Sequence, residues 1–526
     1  MKNRIAIGLM AVTVACGWQE ACGAGLARPN IIVVLADDLG YGDVHCFDPR
    51  YAKIPTPCVD RLAQQGLSFT DAHDGASLCT PSRYALLTGR FSWRTPLQRQ
   101  VMDAYGTPLI APDRLTLPKM LQQQGYQTAC FGKWHLGWDW ALRQKDGSIA
   151  RAPKNQFLRC RREEWNPVFE ESIAQGPITR GFDYYFGVDT PNGTPHTFIE
   201  NDRMVVNPTK QDKWGVSAPG WREDRMLPTI LEKTESYIAE RAREKKPFLL
   251  YLALTSPHTP IAPSEPFVGK SGINREADFI METDAALGRV VTALEKTGQA
   301  DNTIVIFTSD NGHAGYLDLK PYEKVGHRVS GPYRGYKNDL TEGGHRIPLV
   351  VRWPGVVKPA TSSNQLVCLS DLMATCAEML QVKLPDNAAE DSVSLLPLLH
   401  GQDAPTRRYL VNQCYFTPPL AIREGPWKLG MCPGYGPGQQ GLTMEDAIRR
   451  GISPVQLHNL ADDPGETTNL ATQHPEIVQR LRAQLEKYIS EGRSTPGVPQ
   501  KNDVEVKLQR TDKDAKEDAK NGHAGD

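Results

Sequence analysis

The chain has 526 residues, 40% of them apolar and 23% charged, with a formal net charge of −1. That length calls for one large domain with smaller additions. A balanced surface excludes bulk attraction to nucleic acid or to an acidic membrane as the basis of function.

At the N-terminus, Lys2 and Arg4 precede an uncharged, mostly apolar run of 12 residues, Ile5 to Cys16. That run is too short to span a bilayer. Small residues follow, so residues 1–27 read as a signal peptide, cleaved before Arg28 or a few residues earlier. Cys16 is an alternative lipoprotein anchor, although Thr13 stands where a large aliphatic residue is usual. No later stretch is apolar for long enough to cross a membrane. The expectation is export to the periplasm or the medium, with no stable membrane span. The 11 cysteines include no C-x-x-C pair, which argues against a zinc ribbon or a thioredoxin-like site.

Short apolar runs predict strands buried on both faces. In chain order they are Ile31 to Ala36, Thr128 to Phe131, Phe248 to Leu254, Thr303 to Thr308 and Leu349 to Arg352. Helical patterns lie between them, at Leu117 to Gln124 and Ala277 to Thr297. The alternation predicts an α/β domain over residues 28–400, with a large, mostly parallel central sheet flanked by helices. Beyond residue 400 the texture changes to short strands and turns, with a helix at Pro475 to Ile489. Residues 401–496 are expected to form a smaller α+β domain with a short antiparallel sheet. The Lys/Asp-rich stretch 497–526 is expected to be disordered.

Polar clusters follow four of these strands: Asp37-Asp38, "GKWHLG", "TSPHTP" and "SDNGH". In open α/β sheets functional groups collect beyond the carboxyl ends of strands, so the four should converge. Adjacent carboxylates repel unless a cation sits between them. A turn or a helix cap accounts for Asp37 and Asp38 equally well in isolation, but Asp310-Asn311 repeats the pattern. Three carboxylates and an amide oxygen form a hard donor set suited to calcium or magnesium.

In "SLCTPSRYALLTGR", Pro81 suits a first helical turn, Thr80 is a fair cap and Gly89 a fair stop. The predicted helix Pro81 to Thr88 aims its N-terminus at whatever Cys79 faces, and Arg83 adds a forked cation. Most isolated cysteines are structural. A thiolate beside a hard cation is mismatched, and conversion to an oxygen side chain removes the conflict.

"CTPSRYALLTGR" resembles the signature of the formylglycine-dependent sulfatases of the alkaline phosphatase-like superfamily. "NIIVVLADDLGYGD", "GKWHLG", "GFDYYFG", "SPHTP", "TSDNG" and "RGYKNDLTEGGHRIPLVVRWPG" resemble family blocks in the family order, and "LHNLADDPGETTNLA" resembles its C-terminal domain. The resemblance implies that Cys79 is oxidised to formylglycine by a formylglycine-generating or anaerobic sulfatase-maturating enzyme, and that the aldehyde hydrate is the nucleophile. It implies one Ca2+ held by Asp37, Asp38, Asp310, Asn311 and an oxygen of modified Cys79. Arg83 would orient the modified side chain. Lys133 and His135 would bind sulfate and the hydrate, with His258 and Lys337 near the ester oxygen that leaves. Each of these four also has a plainer reading as a loop or solvated residue.

Asn192, after the "GFD" block, and His345, before Arg346, are candidates for substrate contact, with a turn and a packing role as the alternatives. The basic segment Ala141 to Arg162 reads as a solvated loop or as a wall touching a sugar or a second anion, and Trp138, Trp140 and Trp165 as core or as sugar-stacking groups. The expected activity is hydrolysis of O-sulfate from sulfated carbohydrate, at a chain end. The alternatives are a phosphonate or phosphodiester hydrolase of the same superfamily and a non-catalytic glycan-binding relative. Two-metal phosphate hydrolases of the superfamily carry extra Asp and His ligands. Asn311 directly after Asp310 favours one metal and sulfate.

Overall fold

The computed structural model describes residues 28–158, 165–212, 215–415, 419–434, 442–514 and 516. The signal-peptide and Cys16 expectations lie outside the described residues. Ten strands form the main sheet: β1 (Asn30–Asp37), β2 (Leu67–Phe69), β3 (Gln127–Lys133), β4 (Tyr184–Val188), β5 (Ile199–Glu200), β6 (Arg203–Met204), β7 (Phe248–Pro257), β8 (Thr303–Ser309), β9 (Leu349–Arg352) and β10 (Thr361–Ser363). Their spatial order is β10-β2-β9-β8-β1-β7-β3-β4-β5-β6. The central strands β8, β1, β7, β3 and β4 run parallel. The expected strand β9 is present, but it pairs antiparallel to β8, so the sheet is mixed toward its edges.

The continuous apolar runs are continuous because both faces of the sheet are covered. Ile31, Val33 and Leu35 of β1 pack in one layer with Tyr84, Leu86 and Leu87 of helix α1 (Cys79–Thr88). Ile32, Val34 and Ala36 point the other way. They pack with Ile230 and Ile238 of α2 (Met226–Glu244) and Leu287 and Val290 of α3 (Arg275–Lys296). Each buried Val, Leu or Ile here contributes about 1.5–3 kcal/mol, so the register of β1 is fixed and Asp37 is delivered to one edge.

Helix α1 starts two residues earlier than expected. Leu78 is the extended residue before it, and Cys79 occupies its first position. Thr80 is not the cap, because its hydroxyl accepts from the backbone N–H of Met102 at 3.2 Å. Gly89 closes the helix with φ +64°, as its freedom from a Cβ allows. All ten residues of α1 are buried.

The second sheet is antiparallel, in the order β11 (Tyr409–Gln413), β12 (Leu420–Glu424), β13 (Trp427–Gly430) and β14 (Gln456–Asn459). Helix α4 (Pro475–Ser490) packs on it through Leu481 and Leu485. That core also takes in Phe91 and Trp93, so the two parts share a hydrophobic centre. Residues 497–514, expected to lack structure, return to the body of the protein. Asp503 bonds Arg90 at 3.0 Å, Asn502 accepts from Arg94 at 2.9 Å, and Val506 and Leu508 cover the smaller core. Composition misleads here because two buried arginines supply partners for polar groups of the tail.

A buried charge cluster also joins the two parts. Lys428 of β13 reaches Glu342 at 3.1 Å and Glu466 at 3.0 Å. Arg423 of β12 grips both oxygens of Asp71, at 2.8 and 2.7 Å, and Arg346 spans Asp71 and Glu342 at 3.1 and 3.0 Å. Arg346, Arg423 and Lys428 thus balance Asp71, Glu342 and Glu466, with His73 and His345 between them.

Candidate active site

The four polar strand ends meet. β8, β1, β7 and β3 are consecutive neighbours, so their carboxyl ends place Asp310, Asp37, His258 and Lys133 side by side. Helix α1 brings Cys79 up from one face, with its sulfur 3.6 Å from Asp37 and 3.8 Å from Asp38. Arg83, one turn on, donates to Asp310 Oδ2 from Nε at 3.0 Å and Nη2 at 2.7 Å, and approaches Asp37 at 3.5 Å. Lys133 Nζ lies 3.0 and 2.9 Å from the two oxygens of Asp37. Lys337 Nζ lies 2.7 Å from Asp38 Oδ1. His258 Nε2 faces Asp38 at 3.7 Å. Asn311 donates to Asp38 at 2.8 Å. Asp38 and His135 hold left-handed backbone angles, φ 70° and 54°, a strain typical of functional loops.

Burial raises the carboxyls, and the surrounding cations decide the outcome. At Asp37, Lys133, His258 and Arg83 override burial and hold the group well below the usual carboxylate range. At Asp38, Lys337 and then His258 do the same. Burial lifts Asp310 to about 6 against the pull of Arg83, and Asp37 adds to the rise. Burial pushes the Cys79 thiol up to about 12 against Lys133 and Lys337, so the free thiol is neutral and a weak nucleophile at pH 7.

The two histidines are held neutral. Burial lowers His258 to about 4, although Asp37 pulls the other way. Burial beside Lys133 keeps His135 well below its ordinary value. His135 Nε2 lies 3.0 Å from the Met102 carbonyl, which can only accept, so Nε2 carries the proton. Nδ1 is then a bare lone pair, buried and without a partner among the described residues. That lone pair can accept a hydrogen bond.

The donor set fits a hard divalent cation. Asp37, Asp38, Asp310 and Asn311 are buried oxygen donors, and Asn311 Oδ1 lacks a hydrogen-bond partner among the described residues. A second set of ligating types, His73, Glu342 and His345, also gathers. Its members are already committed to Lys428, Arg423 and Asp71 within the balanced charge cluster.

His345 therefore packs between the two sheets and does not face a substrate, because Lys428 and His73 occupy both of its ring nitrogens at 3.0 Å. Asn192 is exposed on the loop after β4, away from the buried cluster of Asp37, Asp38 and Cys79. Trp138 and Trp140 are fully buried among other aromatics, and Trp165 packs against the core. Trp138 and Trp140 therefore offer no face to a sugar, while Trp165 is half-buried. The basic segment forms a hairpin, Ala141–Arg143 with Ile149–Arg151, anchored by buried Ala141 and Leu142 and exposed from Arg143 to Arg151; residues 159–162 of the segment lie outside the described residues.

Two residues at the site went unread in the sequence. Asp189 follows β4 just as Asp38 follows β1, so the strand-then-acid pattern was present as a signal. It accepts from the Trp138 indole at 2.8 Å and from the backbone N–H of His135. Burial lifts it to about 7 even though both bonds favour its ionised form. Tyr316 carried no signal, yet its hydroxyl reaches Asp38 Oδ2 at 3.4 Å.

Comparison with known proteins gives this geometry its family. Residues 29–382 match the family described as Sulfatase. An N-acetylgalactosamine-6-O-sulfatase of Bacteroides thetaiotaomicron is 34% identical over 500 residues, covering 89% of this chain and 94% of the relative. Human arylsulfatase A is 30% identical over 515 residues, covering 90% and 92%. A solved structure from work on the metabolism of multiple glycosaminoglycans by Bacteroides thetaiotaomicron superposes with a TM-score of 0.74 at 30% identity, covering 88% of this chain and 99% of the other. With carboxylates, amide, cations and thiol converged at the strand ends and the match running through nearly the whole described chain, the protein belongs to the sulfatase family as a type I sulfatase of the alkaline phosphatase-like superfamily, a sulfuric ester hydrolase.

Proposed function

We propose that the protein removes O-sulfate from sulfated glycans, with Cys79 converted to formylglycine as nucleophile and one calcium ion held by Asp37, Asp38, Asp310 and Asn311. The observation that carries the reading is the buried thiol held between Asp37 and Asp38 at 3.6 and 3.8 Å, beside Lys133 and Lys337. A neutral thiol is a poor nucleophile there, whereas an oxygen side chain suits the hard donor set. The aldehyde hydrate supplies two hydroxyls, one to attack sulfur and one whose deprotonation releases sulfate. The calcium ion, when bound, supplies positive charge against the sulfate oxygens.

The remaining chemistry belongs to side chains of the fold. Arg83 fixes the carboxylate edge from below. Lys133 and Lys337 bring ammonium groups to the two carboxylates that face the thiol, and there they balance the added charge of an anionic ester. His135 Nδ1 accepts the proton that leaves the second hydroxyl. The Lys337 ammonium, 2.7 Å from Asp38 Oδ1, lies where a departing alkoxide needs a donor, whereas neutral His258 carries its proton on Nδ1, 2.6 Å from the Thr259 carbonyl, and presents Nε2 as an acceptor. The balance is hydrolytic: the S–O bond to the sugar breaks, water supplies the new oxygen on sulfur, and the sugar oxygen gains the proton.

The N-acetylgalactosamine-6-O-sulfatase relative supports a hexosamine 6-sulfate as substrate; galactose 6-sulfate and action at a chain end are part of the proposal. Export and processing by a maturation enzyme complete the reading. Mass spectrometry of the Cys79 peptide from the native host tests the nucleophile, since conversion exchanges sulfur for oxygen and removes two hydrogens. A panel of galactose- and hexosamine-6-sulfates tests the substrate. An unmodified thiol in active enzyme, or preferential turnover of matched phosphate esters, overturns the proposal.

Asp189 should act through His135. An Asp189→Ala variant leaves the Trp138 indole and the strained His135 N–H without their acceptor, and kcat should fall about tenfold or more. Asp189→Asn keeps an accepting oxygen and should retain most of the rate. Steady-state sulfate release by the two variants separates these outcomes.

A further inference from the structure

Every charged or thiol group at the reaction centre is buried: Asp37 and Arg83 at 0% exposure, Asp38, Cys79 and Lys133 at 1%, His258 at 6% and Lys337 at 9%. Tyr316 touches the same centre and is 55% exposed. Exposure rises from Asp37 toward Lys337 and Tyr316, which places the mouth of the site on the Asp38 side. There the Tyr316 hydroxyl rests 3.4 Å from Asp38 Oδ2, and Lys337 Nζ stands 6.0 Å from the centre of its ring. Two independent contacts thus pin the inner end of an aromatic ring whose outer part is open to solvent.

Single exposed aromatics are common and need no explanation. This one differs because its polar tip is fixed inside a catalytic charge cluster. We propose that Tyr316 is the platform on which the pyranose ring carrying the sulfate lies, a subsite for the sugar and not for the sulfate. The proposal rests on the glycan-sulfatase reading. A pyranose has an apolar C–H face that packs on an aromatic ring, and a ring so placed directs its ester oxygen toward Lys337 and His258. The charged groups alone would bind any small sulfate ester. The tyrosine ring adds a preference for a flat, partly apolar carrier, a role that the buried Trp138 and Trp140 cannot fill.

The test compares galactose-6-sulfate with a short acyclic alkyl sulfate, using the matured protein and its Tyr316→Ala and Tyr316→Phe variants. Tyr316→Ala should raise KM for the sugar by about fivefold, leave KM for the alkyl sulfate unchanged and alter kcat little. Tyr316→Phe keeps the ring and should stay close to the parent with both. An Ala variant with unchanged sugar KM, one that raises both KM values alike, or a Phe variant as impaired as the Ala variant overturns the platform. Calorimetry of galactose-6-sulfate binding to Cys79→Ala protein, with and without Tyr316→Ala, reads the platform without turnover. Failure of the parent to release sulfate then counts against the glycan-sulfatase reading, while equal affinity of the two Cys79→Ala proteins, or binding by neither, counts against the platform.

Discussion

A Cys79→Ala protein should fold, bind a sulfated sugar and release sulfate about 10⁴-fold more slowly than the parent, or slower still. The size follows from what is lost. The substitution leaves Arg83, Lys133, Lys337 and His135 in place but removes the side chain that lies against Asp37 and Asp38 and is proposed to form the bond to sulfur. Residual rate then comes from electrostatic stabilisation alone, with bulk water as nucleophile. The structural penalty is small, because one buried sulfur atom is exchanged for space, at a cost of about 1 kcal/mol. Thermal unfolding checks that the variant is native, and sulfate release measures the effect. A variant within tenfold of the parent would show that Cys79 does not carry the reaction.

Replacing Lys428 by Met should destabilise the protein by about 3–5 kcal/mol, although Lys428 belongs to the smaller sheet. Lys428 is wholly buried and holds Glu342 and Glu466 at 3.1 and 3.0 Å. Burial raises the Glu342 carboxyl, but Lys428, His73 and Arg423 keep it well below its ordinary range, so it is ionised. Without the ammonium, the cluster carries an unbalanced negative charge in a low-dielectric space. Activity should fall as well, by a backbone route. Glu342 opens the one-turn helix Glu342–His345, the Gly344 carbonyl accepts from Gly312 N–H at 2.9 Å next to Asn311, and the His345 carbonyl accepts from Asp74 N–H at 2.9 Å ahead of Cys79. Adding Glu342→Gln to Lys428→Met removes one negative charge and should recover part of the lost stability. Denaturant unfolding of the single and double variants decides the point, and equal midpoints for parent and Lys428→Met would discard it.

The parts of this protein readable in the sequence are those whose physics is local. β1, β3, β7 and β8 announce themselves as uninterrupted apolar runs because both faces are covered, and the polar residues after each run are the ones that converge. The smaller sheet and α4 were legible for similar reasons. The charge cluster was not, because Lys428 and Glu342 lie far apart in sequence and each alone resembles a surface residue. His345 was drawn toward the substrate by its place beside Arg346, when its ring nitrogens were already engaged by His73 and Lys428. The start of α1 moved because Thr80 found a partner in Met102, a contact from another loop. Tyr316 sits in a stretch without periodicity, and its meaning arises only when Asp38 and Lys337 are brought beneath it.

The complete burial of α1 has a consequence for timing. Once the chain has folded, no second protein can reach Cys79, at 1% exposure, without opening the core. An enzyme that alters the thiol must meet a nascent or unfolded polypeptide and is in a race with folding. Because Arg90 and Arg94, just beyond α1, acquire partners as late as Asn502 and Asp503, this region reaches its final form only when almost the whole chain has been made. The long delay between making the cysteine and sealing it in would give the proposed maturation enzyme its opportunity.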